Sequence, residues 1–314
     1  MTPTVAFFSN RVGLGQSTLV HHLGHMLASI IRARVVMIDF DPQCGLSAMC
    51  LEPQRREQVW PIDASRPQTL YEHLLARKFG FFEPNVPHVE PVTEGLGLVI
   101  GDIRLSLLER ELSAEAWDYE PDFNGTELTA FIRKLTTRAA EAHRADVVLV
   151  DVGSGLGGLN HAALLSVDHV VVPLGSDLLS LVALSSLGPN LRIWRESSGS
   201  SVLGYVRMQR PAHRRGPSSG PYYEHRRLEE AFLRDVVGDV SAADGSHSYD
   251  LGTMRHFPSL VSLAEDAGKP MFALKPSDGA IGAHGKAVVQ CRNEVYALAN
   301  ELLHRVLPDF EPSP

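Results

Sequence analysis

Cysteine is scarce in this sequence of 314 residues. Cys44, Cys50 and Cys291 make an odd count with no CxxC spacing. That excludes a disulfide framework, a zinc knuckle and a paired-cysteine iron–sulfur site, and it fits a reducing compartment. Long apolar runs are missing too, since none approaches the ~18 residues that span a bilayer. No basic segment followed by an apolar one opens the sequence, so no signal peptide is expected. The expected location is the cytoplasm. Excess positive charge is also lacking: the formal charge is −8. A protein that coats nucleic acid with its whole surface is thereby disfavoured, although a local basic patch is not. No internal repeat is found.

What is present is ordinary soluble composition, 44% apolar and 21% charged. Short continuous apolar runs at 5–8, 35–38 and 147–150, with similar ones at 169–173 and 201–206, have the pattern of strands buried on both faces. Helix-period stretches lie between them, at 17–31, 127–143, 160–165 and 178–194, and 286–306 has the spacing of a closing amphipathic helix. Strands alternating with helices predict an α/β fold: a doubly wound, mostly parallel sheet with helices on both faces. The rhythm breaks at about 52–95, around a predicted helix at 69–79, and at about 207–252, around one at 224–237. Both breaks are expected to be insertions on a single domain spanning 1–314, because the alternation resumes after each.

Between the first strand and first helix runs Ser9-Asn-Arg-Val-Gly-Leu-Gly-Gln-Ser-Thr18. A glycine turn there aims backbone N–H groups and the positive helix end at one point, which suits a phosphate, and Ser17 is placed to ligate Mg²⁺. Alone, the segment also fits a plain strand-to-helix turn. Two further segments follow in order: Met37-Ile-Asp-Phe-Asp-Pro-Gln-Cys-Gly-Leu-Ser47, and Val150-Asp-Val-Gly-Ser-Gly-Leu-Gly157. With them the chain resembles the ParA/MinD family of deviant Walker-A P-loop ATPases. The likeness continues through Val170-Val-Val-Pro-Leu-Gly175 and Gly268-Lys-Pro270.

The resemblance implies ATP or ADP with Mg²⁺ as cofactors, held by Arg11, Gly13, Leu14, Gly15, Gln16, Ser17 and Thr18. It implies that Asp151 is the Walker-B carboxylate and that Asp39 and Ser17 join it at the magnesium. Asp41 would orient the attacking water, Pro42 and Gln43 would sense the γ-phosphate, and Pro270 would border the base. Strand-end carboxylates satisfied by nearby amides are the simpler alternative for Asp39 and Asp41. Three departures qualify this. Gln16 stands at the Walker lysine, Arg11 at the signature lysine that reaches across the family's dimer, and Val12 at a glycine. Phosphoryl transfer is catalysed mostly by positioned charge, so weak or absent hydrolysis is expected, with Arg11 the remaining cation.

The resemblance also implies a homodimer, a partner protein and DNA contact through Arg207, Arg210, Arg214, Arg215, Arg226 and Arg227, where Tyr205, Tyr222 and Tyr223 are interleaved. A solvated basic insertion is the simpler reading of that run. His21 and His25 have metal-pair spacing with His22 beside them, but no third ligand is evident and a helix surface is expected. Residues 301–314 do not resemble a membrane-targeting helix, so no membrane partner is expected. Two functions remain: a ParA-like nucleotide switch serving DNA or cargo partitioning, or a pseudo-ATPase scaffold that regulates a partner.

Overall fold

A computed structural model describes residues 1–60, 68–78, 83–109, 126–175, 177–209, 221–238 and 248–312. In chain order its elements begin with β1 (Thr4–Phe7), α1 (Gln16–Met26), β2 (Val35–Asp39), α2 (Gly45–Cys50), α3 (Pro53–Val59), α4 (Leu70–Lys78), β3 (Glu90–Thr93) and β4 (Leu96–Val99). There follow α5 (Thr126–His143), β5 (Val147–Asp151), α6 (Gly158–Ser166), β6 (His169–Gly175), α7 (Leu178–Ser198) and β7 (Ser201–Gln209). The last elements are α8 (Pro221–Phe232), β8 (Asp250–Arg255), α9 (Pro258–Ala267) and α10 (Ala283–Val306).

The described residues form an eight-stranded sheet in the order β3-β4-β2-β5-β1-β6-β7-β8. All neighbours are parallel except the β3–β4 pair at one edge. The fold is therefore the expected α/β one. Successive strand residues point to opposite faces, so a strand covered on both sides must be apolar throughout. Val5, Phe7, Val35 and Met37 accordingly enter one core, and Ala6, Phe8, Val36 and Ile38 the other. The first core is closed by α1 and α10; on α10, Val288, Cys291, Val295, Leu298 and Leu302 recur at helical spacing. Phe131, Ile132 and Leu135 of α5 and Leu184, Leu187 and Leu191 of α7 close the second. Each such side chain contributes about 1.5–3 kcal/mol when fully buried.

Three strands were not foreseen, and two lie at least partly in the segments expected to be insertions. β3 falls inside 52–95, and β8 begins inside 207–252, so both segments supply strands to the sheet. Neither carries the apolar run of a central strand. β3 alternates half-buried and exposed residues as an edge strand does, and β8 mixes buried Leu251 and Met254 with polar neighbours. β4 is fully buried but interrupted by Gly97. Gly204 permits the β7–β8 pairing: a Cβ there would lie 2.0 Å from the Tyr249 carbonyl oxygen. The first helix spans the expected stretch, with its last residues, Leu27–Ile31, widened to π-type winding.

Candidate functional site

The carboxyl ends of β1, β5 and β2 are adjacent in the sheet, and each leads into one of the three sequence segments singled out above. The loop after β1 closes on Gly15, whose φ of 84° is left-handed and suits glycine. A Cβ at that position would meet nothing closer than 3.7 Å, so the constraint is the backbone angle, not crowding. Gly15 caps α1 with no side-chain hydrogen bond, leaving the helix's first N–H groups to face the loop. Such an end attracts anions.

Asp39 and Asp151 face each other in register at the ends of β2 and β5, and both are fully buried. Burial pushes both carboxyls above the usual carboxylate range; for Asp39 the neighbouring Asp151 charge adds to this. The two are satisfied differently. Asp39 Oδ2 accepts from the Ser47 amide at 2.8 Å and the Ser47 hydroxyl at 2.7 Å, while Oδ1 accepts from the Asp41 amide at 3.1 Å. Asp151 Oδ1 accepts from Gln16 Nε2 at 2.7 Å, and the same nitrogen donates to the Val152 carbonyl at 2.6 Å. Asp151 Oδ2 is buried without a hydrogen-bond partner among the described residues. Ser17 lies near enough to favour the ionised Asp151, though no well-formed hydrogen bond joins them. Its hydroxyl also faces Gly45 at the start of α2, where a Cβ would stand 3.2 Å away.

Asp41 Oδ1 accepts the Gln43 amide at 2.9 Å, folding 41–43 into a tight turn against Gly153. Asn160 holds the loop after β5, its amide donating to the carbonyls of Gly153 at 2.9 Å and Gly155 at 2.7 Å. Glu109 accepts the Leu159 amide at 3.0 Å at the start of α6. Ser47, Asn160 and Glu109 were not foreseen as site residues. Ser47 closes the second motif and Asn160 opens a predicted helix, but no local pattern marks Glu109, because its partner lies 50 residues away.

An AAA-domain family model, AAA_31, matches residues 2–202. The chain belongs to that ParA/MinD-like family of P-loop ATPases. A ParA family protein of Chlamydia trachomatis serovar D is 28% identical over 206 residues, covering 64% of this chain and 69% of that protein. Among solved structures, protein DIP2308 from Corynebacterium diphtheriae has a TM-score of 0.67 at 19% identity, covering 98% of this chain and 100% of that one. The ATP complex of a Cyanothece McdA variant has a TM-score of 0.63 at 14% identity, with 96% of each chain covered.

Within this ParA-like frame, Arg11 is held by the start of α7. Its Nη1 pairs with Asp177, the residue before α7, and donates to Ser180 Oγ at 2.5 Å. Partial burial works to raise the Asp177 carboxyl, but hydrogen bonds from Arg11 and the Ser180 amide outweigh it and hold it low. Beside this pair the apolar side chains of Val12, Leu178, Leu179 and Val182 are exposed, Val12 to 81%.

Pro270 precedes a turn tied to α1: the Met271 amide donates to His22 Nε2 at 3.1 Å. The other ring nitrogen of His22 lies 2.7 Å from the Thr18 carbonyl, so Nδ1 carries the proton. The histidine cluster is therefore not the expected helix surface. His21 and His22 are buried and His25 nearly so, because α1 packs beneath α10 and the Met271 turn. Burial holds all three low, His22 and His25 at about 4. Among the described residues no three His, Cys, Asp or Glu side chains are placed to hold a metal.

Of the basic run, Arg210, Arg214 and Arg215 lie outside the described residues. Arg207 pairs with Asp250 at 2.9 Å and Arg226 with Glu230 at 2.8 Å, while Arg227 is exposed. Among the described residues no helix is long and apolar enough to cross a membrane.

Proposed function

We propose that this chain is a ParA-like nucleotide switch that binds ATP or ADP with Mg²⁺ at the loop after β1 and hydrolyses ATP slowly or not at all. The observation that carries the reading is the uncapped α1 terminus beside a buried Asp151 oxygen with no partner. A buried carboxylate oxygen left unpaired costs several kcal/mol in effect, and a cation would relieve it. Hydroxyl and carboxylate oxygens are the donors a hard cation takes, so Ser17 and Asp151 would hold Mg²⁺, with Asp39 behind them. The cation supplies charge against the phosphates.

The chain's own groups do the rest. Backbone N–H groups from Gly13 to Thr18, through Leu14, Gly15, Gln16 and Ser17, cradle the phosphates, and Pro270 borders the base. Asp41 orients water. Hydrolysis is slow because residue 16 is neutral and Arg11 is engaged by Asp177; a missing positioned charge costs about 3–4 kcal/mol in a transition state. The exposed Val12, Leu178, Leu179 and Val182 beside the loop support homodimerisation across this face. A ParA-like role in DNA or cargo partitioning then follows. The carboxylates paired with Arg207 and Arg226 favour a second reading, a pseudo-ATPase scaffold controlling a partner protein without holding DNA.

Isothermal titration with ATP and Mg²⁺ tests the central claim, with Ser17→Ala and Asp151→Ala expected to weaken binding. No heat from the wild type at high concentration would remove it. Salt-dependent gel shifts on duplex DNA separate the two roles, since phosphate contacts lose affinity steeply with salt.

A further inference from the structure

We propose that the Gln16 side chain serves the cation side of the nucleotide site, orienting Asp151, and makes no contact with phosphate. This rests on the reading that a nucleotide and Mg²⁺ bind here. A side-chain amide has two N–H donors and one acceptor oxygen. In this chain Nε2 is spent twice, on Asp151 Oδ1 at 2.7 Å and on the Val152 carbonyl at 2.6 Å. The group left over is Oε1, which repels a phosphate oxygen. With its donors committed, the side chain has nothing to offer an anion.

What it offers Asp151 is orientation without neutralisation. Asp151 is fully buried, and the Gln16 bond fixes its Oδ1 so that Oδ2 is the oxygen left open. A lysine in this place would form an ion pair and compensate the aspartate's charge; the neutral amide leaves that charge intact for a divalent cation. The second bond extends the effect. Val152 begins the loop whose carbonyls at Gly153 and Gly155 are held by Asn160, so Gln16 joins the first residue of α1 to that loop. Gln16 is thus a positioning residue acting through Asp151.

The test is the linkage between Mg²⁺ and ADP. ADP affinity of the full chain is measured calorimetrically in Mg²⁺ and in EDTA, for the wild type, Gln16→Met and Gln16→Asn. Methionine matches the length of glutamine but donates nothing; asparagine keeps the amide but falls short of Asp151. Removing such a supporting partner costs about 10–100-fold in metal affinity. The expected result is a Mg²⁺ enhancement of ADP binding at least about tenfold smaller in Gln16→Met, with the EDTA affinity within about twofold of wild type. Gln16→Asn, which preserves the fold should methionine disturb it, is expected to show the same loss. An EDTA affinity that falls about tenfold while the Mg²⁺ ratio stays constant would place Gln16 on the phosphates and overturn the inference. ADP binding by wild type that is insensitive to Mg²⁺ would overturn it as well, leaving the nucleotide reading standing. No ADP binding by the wild type would instead overturn the nucleotide reading, and this inference with it.

Discussion

Replacing Ser47 with alanine removes one oxygen and breaks two buried contacts at once. The hydroxyl donates to Asp39 Oδ2 at 2.7 Å and accepts from the Gly101 amide at 2.9 Å, and Ser47 is fully buried. The first loss is a hydrogen bond to a carboxyl, worth ~1.5–3 kcal/mol when that group is charged. The second strands a buried N–H, which costs ~1–3 kcal/mol. Because the losses share one atom they do not add fully, and the expected destabilisation is about 3 kcal/mol. Urea unfolding followed by circular dichroism reads this as a lower midpoint at unchanged slope. The control is Ser106→Ala, whose hydroxyl bonds the Ile103 carbonyl at an exposed site and should cost under ~0.5 kcal/mol. A Ser47→Ala midpoint equal to the control's would refute the claim that Ser47 holds Asp39 in place.

Asp39 also sets a pH dependence. Its carboxyl is raised by burial, so the folded state binds that proton more tightly than the unfolded state. The resulting stability is full below the ordinary carboxylate pKa and is lost as pH rises through the raised one. In unfolding titrations at pH 5 and pH 8, the wild type should therefore lose more stability than Asp39→Asn; equal losses would deny the shift. Asp177 accepts the Ser180 amide at 3.0 Å as a helix cap and pairs with Arg11 at the surface, so Asp177→Ala should cost about 1–2 kcal/mol in the same assay. Asp177→Asn keeps the cap and should cost under about 1 kcal/mol; equal costs would show that the cap contributes nothing. In single-turnover ATP assays the wild type should be slow, and the double variant Arg11→Lys with Gln16→Lys should gain only about tenfold, because Asp151 competes for the new ammonium. Rapid wild-type hydrolysis that disappears in Arg11→Ala would reverse this.

The periodicity of the chain determined the central sheet. Runs such as 5–8 and 147–150 are apolar at every position because both faces are covered, and that signal is local. The order of the three site segments was legible because Asp39 and Asp151 end buried strands and Gly15 precedes the first helix, where charge and backbone freedom are read directly from the residues. The edge elements were not legible. Strands β3 and β8 are defined by the neighbours they pair with, and a polar or glycine-bearing segment gives no sign of such a partner. Tertiary structure alone decided where the side chains of the site point. A neutral residue at position 16 announces a missing charge, but that its amide reaches Asp151 depends on a contact spanning 135 positions. Arg11 reads as a free cation until α7 brings Asp177 beside it, and His22 reads as surface until the Met271 turn covers it. Hydrogen bonds and burial between distant segments come from packing, which local sequence does not encode.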